Sequence, residues 1–232
     1  WAETLTGVPE STIRDAVRVF ATGTSCWYAW NGIEQNTDAS QTNRAICILY
    51  ALTGSYDKPG GNIILPRILL NNILGLEFIS PEAKKKCLGY DERPLGTSGT
   101  WLETQGYEVY NAILTGKPYP IRALFCFGGN LITSSAPPSV AREALIKLDF
   151  HAHCDMFLSP TAELADIVLP IASTWESWHV GSTIDAAAEK AYFQLRPAVV
   201  PPQHESWPEL KIMVELGKRL GLGDKFWNGD IE

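Results

Sequence analysis

The sequence has no C-x-x-C pair, although it holds five cysteines: Cys26, Cys47, Cys87, Cys126 and Cys154. They are widely separated and odd in number. That excludes a complete set of internal disulfides and argues against an iron–sulfur or structural zinc site built from this segment. No run of 18 or more apolar residues occurs, so no membrane span and no membrane contact are expected from this segment. There is no signal-peptide pattern. Basic residues are in deficit, 19 against 26 acidic ones, for a net charge of −7. A general nucleic-acid binder needs a basic face, so nucleic acid is not an expected partner. An anionic ligand remains open, because backbone N–H groups bind phosphate locally whatever the net charge. Neither G-x-G-x-x-G nor G-x-S-x-G is present, and no internal repeat is visible. The chain opens without methionine on "WAETLTGVPESTIRDAVRVFA", already inside a structured pattern, and reads as a piece of a longer protein. Missing targeting signals then do not separate cytoplasm from periplasm in a prokaryote.

What is present is ordinary for a globular chain: 232 residues, 45% hydrophobic and 19% charged. That length suits one large α/β domain or two small ones. We read residues 1–232 as one domain, with 63–105 a possible irregular insertion. Within it Ile63–Ile79 is apolar without a clean period, the Lys84–Lys86 run reads as a solvated face, and Arg93–Thr100 is loop-like.

Pro9 suits the first turn of a helix carrying Ile13, Ala16, Val17 and Phe20 on one side, closed by Gly23. "SCWYAW" (Ser25–Trp30) is aromatic and strand-like. Thr37 or Asp38 caps a helix with Ile46, Leu49 and Leu52 on one face and Gly54 as its stop. "GSYDKPGGN" (Gly54–Asn62) reads as a loop. Gly106–Gly116 is a helix between two glycines. A strand over Ala123–Phe127 precedes a glycine turn and a helix from about Pro138, with Val140, Ala144, Leu145 and Leu148 on one side. Leu148–Asp155 and Leu164–Pro170 read as two more strands, and Ala191–Val200 as an extended run. Ser206–Gly221 ends as an amphipathic helix with Leu210, Met213, Val214, Leu216, Gly217 and Leu220 on its apolar face. Apolar strands with short connections imply a Rossmann-like, doubly wound, mostly parallel sheet with helices on both faces. Ligands of such sheets sit at the carboxyl ends of the strands.

"FGGNLITSS" stands at such an end. Without Cβ atoms, Gly128 and Gly129 let a pyrophosphate approach the backbone N–H groups up to Asn130. The turn alone is the plain alternative. Asp155 ends the next strand, where a carboxylate accepts from ribose hydroxyls or from two N–H groups of a guanine edge; capping a turn is its plain alternative. His151 and His153 lie two apart on that strand and share a side beside Cys154. With no fourth ligand evident, they read as polar strand-edge residues, not a metal site.

Four stretches, in order, resemble the molybdenum and tungsten oxidoreductases of the dimethyl sulfoxide reductase family, which carry a bis-molybdopterin guanine dinucleotide. They are Trp1–Ala21, "NGIEQNTDASQTNRAICILYALTGSYDKPGGN" (Asn31–Asn62), "LFCFGGNLITSSAPP" (Leu124–Pro138) and "LDFHAHCDMFLSPTAELADIVLPIASTWE" (Leu148–Glu176). The resemblance implies one Rossmann-like domain holding one pterin guanine dinucleotide. On the positions that match the family's motifs, it implies binding by Asn31, Gln35, Gly128, Gly129, Asn130, Cys154 and Asp155. Thr161, Ala162 and Asp166 match a further motif, in which Asp166 is either a ligand contact or a structural acceptor. The parent would carry Mo or W in the bis form, and a [4Fe-4S] centre outside this segment. Its partners would be the remaining domains of the chain and an electron-transfer iron–sulfur subunit. No metal ligand and no catalytic residue is assigned here, and the segment alone is expected to be inactive. The sequence departs from the family after "ASTWE" and at Ser206-Trp207, which leaves contacts from Ser177 or Ser206 unsupported. Two rivals remain: a nicotinamide-dependent dehydrogenase domain, and a scaffold or interaction domain that kept the fold and lost the ligand.

Overall fold

The computed structural model describes residues 1–64, 79–92, 104–134, 137–185 and 190–225, without the side chains of 182–185. The expected insertion at 63–105 therefore lies largely outside the described residues. Two compact units emerge: Trp1–Leu69 with Ser182–Phe193, and Leu70–Gly181 with Gln194–Glu232.

The first unit begins with helices α1 (Ala2–Thr6), α2 (Glu10–Ala21), α3 (Asn31–Glu34) and α4 (Ala39–Leu52). Pro9 is the N-cap of α2, one place before the expected first turn, and the helix stops at Ala21 on Thr22. Asp38 caps α4 by position, without a side-chain cap bond. Leu52 is exposed, so the apolar face of α4 narrows to Ile46 and Leu49. Ser25–Trp30 is not a strand. Its Trp27 is held instead by an amide side chain: Trp27 N–H donates to Asn62 Oδ1 at 2.7 Å, and Asn62 Nδ2 donates to Trp27 O at 3.0 Å. One asparagine thus imitates a neighbouring strand. The loop that carries it is tight. Asn62 N–H donates to Ser55 O at 3.2 Å, Asp57 N–H to Asn62 O at 2.6 Å, and a Cβ on Gly61 would collide with the Ser55 carbonyl. Among the described residues of this unit, Ser55 is buried and no large apolar side chain is.

The second unit carries α5 (Pro81–Lys84), α6 (Gly106–Thr115), β1 (Ala123–Phe127), α7 (Leu131–Ser134), α8 (Pro138–Lys147), β2 (Phe150–Asp155) and β3 (Ile167–Pro170). Strands β4 (His179–Asp185) and β5 (Lys190–Arg196) form a separate two-stranded sheet, and α9 (Glu209–Arg219) follows. β4 falls where the sequence reading assigned no element. The main sheet is parallel, in order β1-β2-β3, with Phe127 beside Cys154 and Asp155 beside Pro170. His151 to Cys154 are buried without a break. Successive strand residues face opposite sides, so both faces of β2 are covered, as parallel sheets require. Helices α6 and α8 pack through Tyr110, Ile113, Ala141 and Ala144, flanked by Val140, Leu148 and Leu131. Gly116 ends α6 in the left-handed conformation, φ 71°. The apolar face assigned to α9 is corrected: Ile212, Val214 and Gly217 are buried, while Leu210, Met213 and Leu220 are exposed. No helix among the described residues is long and apolar enough to cross a membrane.

Candidate functional site

The site of interest lies at the carboxyl ends of β1 and β2. The ladder continues one step past β1, because Gly128 N–H donates to Cys154 O at 2.8 Å. The backbone then turns through two left-handed residues, Gly128 at φ 62° and Gly129 at φ 81°. A side chain at either position would be strained, and among the described residues the space beside both is open: nothing lies within 4 Å of a Cβ on Gly128, and one Leu131 methyl at 3.9 Å meets a Cβ on Gly129. Cys126 fixes the turn from below by donating its S–H to Gly128 O at 3.0 Å. Burial pushes that thiol's pKa up, helped by the Asp155 charge, which keeps the proton on sulfur for this bond. Two backbone donors emerge from the turn, the N–H groups of Gly129 and Asn130. Among the described residues neither has an acceptor. Adjacent free N–H groups on a left-handed turn form an anion-binding concavity.

The helix expected from about Pro138 is present, but an element the sequence reading did not assign precedes it. A single helical turn, α7, comes first, closed by Thr133 and Ser134 N–H donating to Asn130 O at 3.0 Å each. The longer α8 starts only at Pro138. The positive end of a long helix therefore does not stand at the turn; the local N–H groups do.

Asn130 itself is anchored. Its Oδ1 accepts from Thr161 Oγ1 at 2.9 Å, and Thr161 Oγ1 accepts from Ile132 N–H at 3.1 Å. Thr161 is fully buried, so this hydroxyl locks the glycine turn to the segment after β2. Its importance was visible in the sequence only as part of a motif.

Asp155 ends β2 beside Gly128, as the β1–β2 register requires. Its Oδ1 accepts from Phe157 N–H at 3.1 Å and its Oδ2 lies 3.4 Å from His153 Nε2. Cys154 is adjacent in sequence but its thiol is entirely buried, with a pKa raised to about 11, mainly by burial. What Cys154 offers this site is its carbonyl, already used by Gly128. Asp166 stands elsewhere. Its Oδ2 accepts from His151 N–H at 2.7 Å, and its own N–H donates to His151 O at 2.8 Å. That is four residues upstream of Asp155, roughly 13 Å along the strand, so the carboxylate staples β2 to the start of β3. His151 and His153 are not strand-edge residues. Both are fully buried, with rings edge to face at 5.4 Å. Among the described residues no group of three metal-ligating side chains converges.

Asn31 and Gln35 belong to the first unit. Asn31 opens α3 and Gln35 caps it, with Gln35 N–H donating to Asn31 O at 2.9 Å. At i and i+4 the two amide side chains share one helix face. Both are exposed. Ser177, buried, donates to Ser173 O at 2.9 Å and sits 2.9 Å from His179 Nε2, while Ser206 donates to Gln203 O at 2.7 Å, so both hydroxyls have local partners.

Comparison with known proteins agrees with this geometry. Residues 27–219 match the molybdopterin oxidoreductase family model. The chain is 30% identical to the dopamine dehydroxylase of Eggerthella lenta, over 94% of this chain and 23% of that protein. It is 28% identical to the trimethylamine-N-oxide reductase of Haemophilus influenzae, over 100% of this chain and 30% of that protein. The solved acetylene hydratase from Pelobacter acetylenicus superposes with a TM-score of 0.81 at 27% identity, covering 97% of this chain and 34% of that one. The chain thus spans roughly a quarter to a third of the relatives it matches. A parallel α/β sheet, a glycine turn at its carboxyl edge and a family match over most of the length lead to one conclusion: this chain belongs to the molybdopterin oxidoreductase family.

Proposed function

We propose that this chain is a cofactor-holding segment of a molybdenum or tungsten oxidoreductase, and that its second unit binds the nucleotide half of one pterin guanine dinucleotide. One observation carries the reading: two unpartnered backbone N–H groups, at Gly129 and Asn130, open beside a strand-end carboxylate, Asp155. These residues fit a nucleotide diphosphate. The N–H pair suits the pyrophosphate, and the open space beside the glycines permits close approach. Asp155 is an acceptor-only group that suits the paired N–H donors of a guanine edge. Asn31 and Gln35 supply amide groups of the type that reads a pterin edge. Cys154 and Asp166 support the site through the fold and not through their side-chain contacts with the ligand. When bound, the metal–pterin group supplies the two-electron chemistry, and this chain positions it.

The remaining domains of the parent chain are its first partners in this reading. Apolar side chains left on the surface, such as Trp30, Leu52 and Phe157, support that. An iron–sulfur electron-transfer subunit and a [4Fe-4S] centre elsewhere in the parent complete the proposal. The test is guanosine diphosphate binding by the cofactor-free full-length protein. Asp155→Ala should weaken it by about tenfold or more, the loss expected for hydrogen bonds to a charged group. Unchanged affinity would remove Asp155 from the site.

A further inference from the structure

His153 is one of the buried polar groups that the reading so far leaves unexplained, and the one that touches the candidate site. Its side chain is 0% exposed, and among the described residues its Nδ1 has no hydrogen-bond partner. An imidazole buried with an unpaired nitrogen costs stability that an apolar side chain of similar size would not. Its other nitrogen, Nε2, has one neighbour: Oδ2 of Asp155 at 3.4 Å. Of the two neutral tautomers only the one with hydrogen on Nε2 can donate to that carboxylate, and Nδ1 is then a bare lone pair in the core. The His151 ring packs edge to face against it, with ring centroids 5.4 Å apart.

We propose that His153 is a positioning residue for Asp155, and through it for the guanine end of the nucleotide; this rests on the nucleotide reading of Asp155 given above. A free aspartate carboxylate rotates about two bonds. Here one oxygen is tied by Phe157 N–H and the other by His153 Nε2–H, so both ties come from the protein side. The carboxylate plane is thereby fixed, and each oxygen keeps a lone pair directed outward. Guanine offers two parallel N–H donors to such a pair. Adenine offers one donor and one acceptor on the same edge, and the acceptor faces a negative oxygen. Without the His153 tie, the carboxylate still carries its charge but no longer its orientation. Affinity for guanine falls, and the margin over adenine falls with it.

The experiment uses the cofactor-free full-length protein, with guanosine diphosphate and adenosine diphosphate as probes, and four variants: His153→Leu, His153→Gln, Asp155→Ala and the His153→Leu/Asp155→Ala pair. Glutamine places an N–H near the Nε2 position, so His153→Gln should stay within about threefold of the wild type. His153→Leu should weaken the guanine nucleotide about tenfold and shrink the guanine-to-adenine ratio. Adding it to Asp155→Ala should change neither further. If Asp155→Ala weakens binding while His153→Leu leaves both affinity and ratio unchanged, the positioning role is wrong and the nucleotide site stands. If His153→Gln and His153→Leu lose affinity equally, in step with their melting temperatures and at a constant ratio, the role is only structural. If Asp155→Ala changes nothing, the nucleotide reading itself fails and this inference falls with it.

Discussion

Gly129 separates a turn from a binding site, and the separation can be made quantitative. Its φ of 81° lies in the region that L side chains avoid, at a cost of about 1–2 kcal/mol for alanine. The structure adds no collision, since the nearest atom to a new Cβ is a Leu131 methyl at 3.9 Å. Gly129→Ala should therefore lower the melting temperature by only a few degrees, at about 2–4 °C per kcal/mol for a chain of this size. Asparagine tolerates the left-handed conformation, so Gly129→Asn should melt closer to the wild type than Gly129→Ala. Binding should respond differently. Any side chain here projects into the space beside the free N–H groups. One Cα–Cβ bond, about 1.5 Å, is enough to push a phosphate beyond the roughly 2.9 Å at which an N–H donates. Each lost bond to a charged oxygen is worth about 1.5–3 kcal/mol. Both variants should then lose at least about tenfold in guanosine diphosphate affinity, measured calorimetrically on the cofactor-free protein. A Gly129→Asn protein with wild-type affinity would refute the reasoning and leave the glycines as turn residues alone.

Three further outcomes follow from the packing. Gly61→Ala should destabilise the first unit by about 2 kcal/mol or more, because its Cβ meets the Ser55 carbonyl, a backbone atom that cannot swing away; urea unfolding of the variant measures this. Burial holds the His151 imidazole below the usual histidine range, with His153 beside it acting in the same direction and Asp166 and the Leu164 carbonyl opposing. The folded-state pKa is the lower one, so stability is full above about pH 6.5 and falls as the pH drops below it, where only the unfolded state readily takes the proton. The urea midpoint should fall between pH 7.5 and pH 5, and His151→Leu should flatten that slope. Cys154, fully buried and with its pKa near 11, should resist iodoacetamide in the native protein while the exposed Cys26 reacts, as peptide mass spectrometry would show.

The sequence reading reached furthest where apolar periodicity and glycine signals agree. The strand at 123–127, the helix ended by Gly116 and the core face of α8 stand where the pattern put them, while the strands expected from Leu148 and Leu164 begin at Phe150 and Ile167 and end as expected. The parallel α/β class followed from those same strands. The reading failed where a non-local partner decides the structure. Ser25–Trp30 has strand composition, yet its backbone is satisfied by the Asn62 side chain, 35 residues away, which no local pattern announces. The apolar face of α9 was drawn to include Leu210, Met213 and Leu220, which are exposed; packing buries Ile212 beside the expected Val214 and Gly217. β4 lies in a stretch with mixed small and polar residues, where strand pairing and not hydrophobicity defines the element. At the candidate site, the position of the glycine turn and of the strand-end aspartate was legible from residue type and strand pattern. The bonds of Thr161 were not, because they reach Asn130 and Ile132 about thirty residues away; nor was the burial of His153, which the packing of β2 decides.

The most direct test of the account is a cofactor inventory. The full-length protein, purified anaerobically from a host that makes the cofactor, would be hydrolysed and assayed together for molybdenum or tungsten, for the oxidised pterin's fluorescence and for GMP. The account predicts metal with pterin and GMP in equal amounts, about two of each per chain if the bis-dinucleotide form is present. A folded protein that carries no metal, no pterin and no GMP would contradict it, and would favour a domain that kept this fold without its ligand.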